Sequence, residues 1–276
     1  MMYNRSLIQE NILMNSNNKT LEREIHLAKD IQNKLLNGEL PKLKKDEVSG
    51  ISIPARLIGG DYFDFYPLPN GKIRIVIGDV MGKGIPAAML MILTRGAFRT
   101  AAESTKGPGD TLTAMNKAIY KDLRTLNSFV TVFCADWDLV SGTFTYASAG
   151  HSTPVVIKSN KKQVMIPPVK GIMLGGLPSQ IYKEKEVFLS EGDLVFLYTD
   201  GIVEAVNQDG EMYKVERLQR TLESICTKNL KKIEDDIIDS LEEFTRGMPQ
   251  KDDITMVMLK IGKGSSEISS YNVPLV

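Results

Sequence analysis

Short β-rich runs reach this chain in hairpin-like groups while its helical patterns come in separate blocks, and that order restricts the fold more than any other feature. β-Branched and aromatic residues cluster at 51–57, 73–77, 130–137, 143–148, 154–157, 186–189, 194–199 and 254–261. Pro69-Asn70-Gly71, Ser141-Gly142 and Glu191-Gly192-Asp193 supply turn chemistry between several of them. Apolar residues at helical spacing cover about 85–104 and 110–125 in the middle, then about 213–226 and 231–246 late in the chain. Strict strand–helix alternation would imply a parallel sheet, whereas grouped strands and grouped helices imply an α+β chain. At least eight strands are more than one twisted sheet easily carries, so the expected architecture is two packed antiparallel β-sheets flanked by helices.

The two ends read differently from this middle. Residues 1–19 are polar and Asn-rich with weak periodicity, which predicts a flexible segment. From Thr20 a helix is expected: Thr20 can cap it, Glu22 and Glu24 suit its first turn, and Leu21, Ile25, Ala28, Ile31 and Leu35 form an apolar stripe. Gly38 and Pro41 then stop it. Such a stripe packs on its own domain or serves as a dimerisation or control helix, and both readings stay open. The predicted division is 1–45 as flexible segment plus regulatory helix, 46–262 as the folded domain, and 263–276 as a flexible tail.

Charge and composition exclude some functions. Lys+Arg and Asp+Glu both total 34, so the formal net charge is zero and no basic footprint for nucleic acid or an anionic membrane is present. Two cysteines, Cys134 and Cys226, make no disulfide framework and fit a reducing compartment. The N-terminus has no basic start and apolar core of a secretory signal. The longest strongly apolar stretch, 85–93, is about half of the roughly 20 residues that span a bilayer. A cytoplasmic protein is expected.

The chemistry sits where the aspartates fall. Asp61, Asp79, Asp200 and the pair Asp252-Asp253 each lie at the edge of an expected apolar strand. Aspartate is disfavoured inside strands, and a carboxylate is costly to bury unless it is paired or bound to a metal. Glycines beside three of these sites allow a close approach of backbone to a ligand. Converging strand ends would make an oxygen-rich pocket suited to Mg²⁺ or Mn²⁺. With only His26 and His151 beside the two cysteines, a zinc site is poorly supported. Any one Asp-Gly dipeptide alone reads as a turn, as Asp209-Gly210 and Glu191-Gly192-Asp193 do. It is the set that points to a metal centre.

The residues also carry a resemblance. Gly59-Gly60-Asp61-Tyr62-Phe63-Asp64, Gly78-Asp79-Val80-Met81-Gly82-Lys83-Gly84-Ile85-Pro86-Ala87-Ala88, Ala149-Gly150-His151, Leu174-Gly175, Gly192-Asp193, Tyr198-Thr199-Asp200-Gly201-Ile202-Val203-Glu204-Ala205 and Asp252-Asp253-Ile254-Thr255 follow one another in order. This set resembles the bacterial branch of the type 2C (PPM) protein phosphatases, the SpoIIE/RsbU-like serine phosphatases of sporulation and general stress control, over about 48–261. The resemblance implies an αββα sandwich and a serine/threonine phosphatase that hydrolyses a phosphorylated regulatory protein, such as an anti-sigma-factor antagonist. It implies two Mn²⁺ or Mg²⁺ ions, with Asp79 bridging them, the Val80 carbonyl ligating one, Asp61 and Asp200 each serving a metal, and Asp252 holding the other ion. Asp253 is a further possible ligand, since the motif offers two adjacent carboxylates. The catalytic set so implied is Asp61, Asp79, Asp200 and Asp252. Outside these motifs, the apolar stripe within residues 20–40 leads to a separate expectation, a homodimer contact or an activating protein partner at the N-terminal helix. Where the family usually has an aromatic-Gly pair after the Asp200 region, this chain has Met212-Tyr213-Lys214.

Arg56 and Lys83 are candidates to contact a substrate phosphate, and each also reads as a solvated surface charge. His151 is expected to make a structural hydrogen bond in a turn rather than to act as a general acid. Among rival readings, a P-loop fails because only three residues separate Gly78 from Gly82 and Gly84 follows Lys83. A haloacid-dehalogenase-type phosphatase would use Asp136 of Asp136-Trp137-Asp138 as nucleophile, but Ser141-Gly142 predicts that these aspartates sit at a hairpin tip. A catalytically silent binding module on the same scaffold is the remaining alternative.

Overall fold

The computed structural model describes residues 2–36, 40–43 and 45–262, with side chains from Lys19 onward except at Asn70. The chain divides into two compact units, Met1–Gly38 and Glu39–Val276. The first unit holds one helix, α1 (Met2–Leu36). It starts well before Thr20, which lies in its interior rather than at a cap. No glycine or proline occurs before Gly38, so nothing interrupts a helix across the Asn-rich residues. The expected tail, 263–276, lies outside the described residues.

The second unit contains β1 (Glu47–Ile53), β2 (Tyr62–Leu68), β3 (Lys72–Val80), α2 (Ile85–Ser104), α3 (Pro108–Thr125), β4 (Val130–Asp138), β5 (Thr143–Ala149), β6 (Val155–Ile157), β7 (Gln163–Val164), β8 (Lys185–Phe188), β9 (Leu194–Tyr198), α4 (Asp200–Val203), α5 (Val215–Ile225), α6 (Leu230–Thr245) and β10 (Ile254–Lys260). One five-stranded sheet has the order β1-β10-β9-β6-β7 and the other β2-β3-β4-β5-β8. Every strand pair is antiparallel. This is the αββα, α+β architecture expected from the grouping of elements.

Alternation builds the layers. Phe63, Phe65, Ile73, Ile75, Ile77, Phe133, Ala135 and Trp137 point from one sheet into the space between the two, where Val195, Leu197, Val257 and Leu259 meet them. The opposite face of the second sheet, with Phe196, Tyr198, Met256 and Met258, packs on Leu218 and Leu222 of α5 and on Ile233 and Ile237 of α6. On the outer face of the first sheet, Tyr62 meets Phe98 of α2 edge-on at 6.1 Å. Trp137 is buried, and its indole Nε1 donates to Asp46 Oδ2 at 2.8 Å. The Gly262 amide donates to the other oxygen of Asp46 at 3.1 Å, which ties the two ends of the domain together.

Three differences from the sequence expectation have clear causes. β2 is absent from the strands expected from sequence; it is an edge strand, where a proline costs no ladder bond, and Pro67 pairs with Ile73. β1 covers 47–53 rather than 51–57, since Pro54 falls where the strand ends. Asp136 is not at a hairpin tip. It lies within β4, and Arg74 of β3 grips it with Nε to Oδ1 at 2.6 Å and Nη2 to Oδ2 at 2.8 Å. Arg74 Nη1 also donates to Thr105 Oγ1 at 2.8 Å and Thr111 Oγ1 at 2.7 Å, linking the sheet to the α2–α3 junction. Only Asp138 occupies the turn, where its Oδ1 accepts the amides of Val140 and Ser141.

Candidate active site

Antiparallel pairing brings the aspartate-bearing strand ends to one edge of the sandwich. Tyr62 faces Gly78 across β2 and β3, so Asp61, before β2, comes beside Asp79 near the end of β3. Met256 faces Tyr198 across β10 and β9, so Asp200, which opens α4 after β9, comes beside the Asp252-Asp253 turn that precedes β10. A hydrogen bond joins the two sheets here: Thr199 Oγ1 donates to Asp61 Oδ2 at 2.8 Å while accepting from the Thr255 amide at 3.0 Å.

The fit is tight because it is built on glycine. A Cβ on Gly59 would stand 2.5 Å from Asp253 Oδ2, and one on Gly201 would stand 2.0 Å from the Asp253 carbonyl oxygen. Any side chain at either position would force these segments apart. The Val80 carbonyl faces the Gly60 stretch, 3.1 Å from where a Gly60 Cβ would be.

The carboxylates have different local partners. Asp253 is buried and accepts the amides of Ala55 and Gly60, each at 2.7 Å, so both its oxygens hold the loop that carries Asp61 in place. Asp252 is half-exposed and pairs with Lys83 Nζ at 2.6 Å. Lys83 also donates to the Lys251 carbonyl. Arg56 is exposed, with its guanidinium against Gly84 at the start of α2. The His151 Nδ1 lies 2.9 Å from Thr131 Oγ1, and its backbone amide meets Ser148 Oγ at 3.2 Å, the turn role expected of it. Burial lowers the pKa of the imidazole to about 4, which keeps the ring neutral.

Electrostatically the acidic groups of the cluster outnumber the basic ones, with Lys83 paired to Asp252. Burial, and then the charge of Asp79, hold Asp61 well above the usual carboxylate range. Asp79 is pushed up to about 7, first by burial and then by Asp200, Asp252 and Asp253. Burial, then Glu204 and Asp252, raise Asp200, against the opposing effect of Lys83. Among the described residues, no three or more His, Cys, Asp or Glu side chains stand grouped so that they could hold a metal ion. Mutually repelling, oxygen-only donors with raised proton affinity nonetheless suit hard divalent cations, which remove the repulsion that protons otherwise relieve.

A stability prediction follows with a definite sign. The folded state holds a proton on Asp79 up to about pH 7, whereas an ordinary Asp sheds it near 3.8. The resulting stabilisation is complete below the lower value and lost as pH rises through the higher one. The melting temperature in chelator is therefore expected to fall between pH 5 and pH 8, and added Mn²⁺ at pH 8 should restore it. A curve that stays flat with pH and is insensitive to Mn²⁺ would remove the cluster as a cation site.

Residues 69–262, well over half of the chain, match the family described as stage II sporulation protein E (SpoIIE). The chain belongs to the SpoIIE family. It is 29% identical to phosphoserine phosphatase RsbU of Bacillus subtilis (strain 168) over 252 residues, covering 91% of this chain and 74% of that protein. The SiaA PP2C domain of Pseudomonas aeruginosa has the same fold, with a TM-score of 0.78 at 21% identity over 89% of this chain and 98% of that one. RsbX, solved in complex with magnesium, superposes with a TM-score of 0.60 at 17% identity, covering 81% of this chain and 99% of that one. This family member is a PPM-type protein phosphatase of the SpoIIE/RsbU-like branch.

Sequence reasoning missed Thr199, which bridges the sheets at Asp61, and it named Asp253 and Lys83 without their partners: Asp253 buckles the Asp61 loop through two amides, and Lys83 pairs with Asp252. Nothing in the spacing says which partner each takes across the fold.

Proposed function

We propose that this phosphatase hydrolyses phosphoserine or phosphothreonine on a regulatory protein, with two divalent cations, Mn²⁺ or Mg²⁺, held by Asp61, Asp79, Asp200, Asp252 and the Val80 carbonyl. The observation that carries the reading is the convergence of buried, mutually repelling carboxylates from both sheets at one edge. Bound there, the cations would supply an ionised water at neutral pH and neutralise charge on the phosphoryl oxygens.

The chain's own residues do the rest. Asp79, at the centre of the repulsion, would serve both cations. Thr199 keeps one Asp61 oxygen oriented by donating to it. Asp253, with both oxygens taken by backbone amides, serves better as a brace than as a ligand. Asp252 would hold a cation in place of its ion pair with Lys83, and Lys83 and Arg56 would then be available to a substrate phosphate. Asp136 cannot act as a nucleophile while Arg74 engages both its oxygens, so the dehalogenase-type alternative is not favoured.

The test is phosphate release from phosphoserine proteins with Mn²⁺, with Mg²⁺ and with chelator. Release is expected only with a divalent metal. Undiminished release in chelator would overturn the mechanism, and a metal-replete protein that released phosphate from no substrate would instead support the silent binding module. An anti-sigma-factor antagonist is the proposed substrate, by family resemblance.

On α1, Leu21, Leu27 and Ile31 are exposed, which supports a role for this helix in homodimerisation or in receiving an activating partner. Removing it with no change in oligomeric state or basal activity would exclude that role. A cytoplasmic setting is proposed as well; among the described residues no helix is long and apolar enough to cross a membrane.

A further inference from the structure

A groove of about 750 Å³ opens beside the carboxylate cluster, and Lys83 and Asp252 form one end of its wall. Its walls come from the segment after α4, the end of α6 and the 247–252 loop. Ile53, Val206, Met212, Leu241, Met248 and Ile254 make much of its lining apolar. Met212 is 48% exposed on the groove wall. Lys251 continues the basic end next to Lys83, while Glu204 and Glu242 supply acidic groups to the lining.

We propose that this groove docks the substrate segment flanking the phosphoserine and selects an apolar side chain close to it. The proposal rests on the phosphatase reading above and adds a recognition element to the same site. The groove and the site share Lys83 and Asp252, so a phosphoserine presented to the carboxylates carries its own neighbours over the groove mouth. An extended chain advances about 3.3 Å per residue, so residues within about three positions of the phosphoserine fall within its span. Methionines on two sides give a wall that adapts to apolar side chains of different shape. The two lysines at the site end match the anionic residue that must lie there, whereas the apolar lining offers nothing to a phosphate.

Three probes test this on the full chain with Mn²⁺: 4-nitrophenyl phosphate and two phosphoserine peptides, one with leucines and one with serines at the two positions on either side of the phosphoserine. The wild type should favour the leucine peptide by about tenfold in kcat/KM, the scale that apolar pocket contacts reach. Met212→Glu and, separately, Met248→Glu should remove that preference while leaving 4-nitrophenyl phosphate hydrolysis unchanged. Equal use of both peptides by the wild type would overturn the docking role. So would variants that slow all three probes alike, or variants that change the oligomeric state measured by light scattering, which would make the groove a self-contact. A wild type that hydrolyses no probe would overturn the phosphatase reading itself, and the docking role with it.

Discussion

Replacing Asp79 with Asn is expected to abolish metal-dependent phosphate release while making the metal-free protein more stable at pH 8. The loss of activity should be at least about a thousandfold, because cation stabilisation of phosphoryl transfer is worth several kcal/mol and each 1.4 kcal/mol is a factor of ten. The gain in stability follows from the same cluster. Burial, Asp200, Asp252 and Asp253 all resist ionisation of Asp79, so at pH 8 the ionised side chain opposes folding. Asparagine keeps the shape and removes the charge. Phosphate release with Mn²⁺ and melting in chelator measure the two effects independently. Unchanged activity would contradict the bridging assignment; reduced activity with reduced stability would mean that Asp79 is held for the fold.

Arg74→Ala should destabilise the domain by about 3–5 kcal/mol, the usual consequence of leaving one member of a buried pair without its partner. Arg74 is fully buried and meets Asp136 through two bonds and Thr105 and Thr111 through two more. Its loss strands a carboxylate inside the sheet and unpins the α2–α3 junction. A drop in melting temperature of about 10 °C is expected for a domain of this size. The double variant Arg74→Met with Asp136→Leu should recover much of it, since an apolar pair of similar volume often matches a buried ion pair. If the double variant also retains metal-dependent activity, Asp136 has no part in the chemistry; if it folds and activity vanishes, the α2–α3 connection matters to the site.

The layers of the fold were legible because antiparallel strands with one buried face write their pattern locally. Ile73, Ile75 and Ile77 alternate inward on β3 as the sequence suggests, and α5 and α6 carry their apolar residues at helical spacing. β2 was hidden because Pro67 is tolerable only at an edge, and edge position is a property of the finished sheet. The length of α1 was hidden for the opposite reason: polar asparagines weaken periodicity without stopping a helix.

The sequence by itself determined the α+β class, the segments that carry the aspartates, and the family, because turn residues, period-two alternation and ordered motifs are encoded within a few residues of one another. Only the tertiary structure decided which partner each carboxylate meets. Asp252 and Asp253 are neighbours of the same type, yet one faces Lys83 and the other is consumed by the amides of Ala55 and Gly60. Asp136 looks like a nucleophile until Arg74 is seen to hold it. A carboxylate's proton affinity and partners depend on burial and on charges brought from far along the chain, and those exist only once the two sheets have closed on each other.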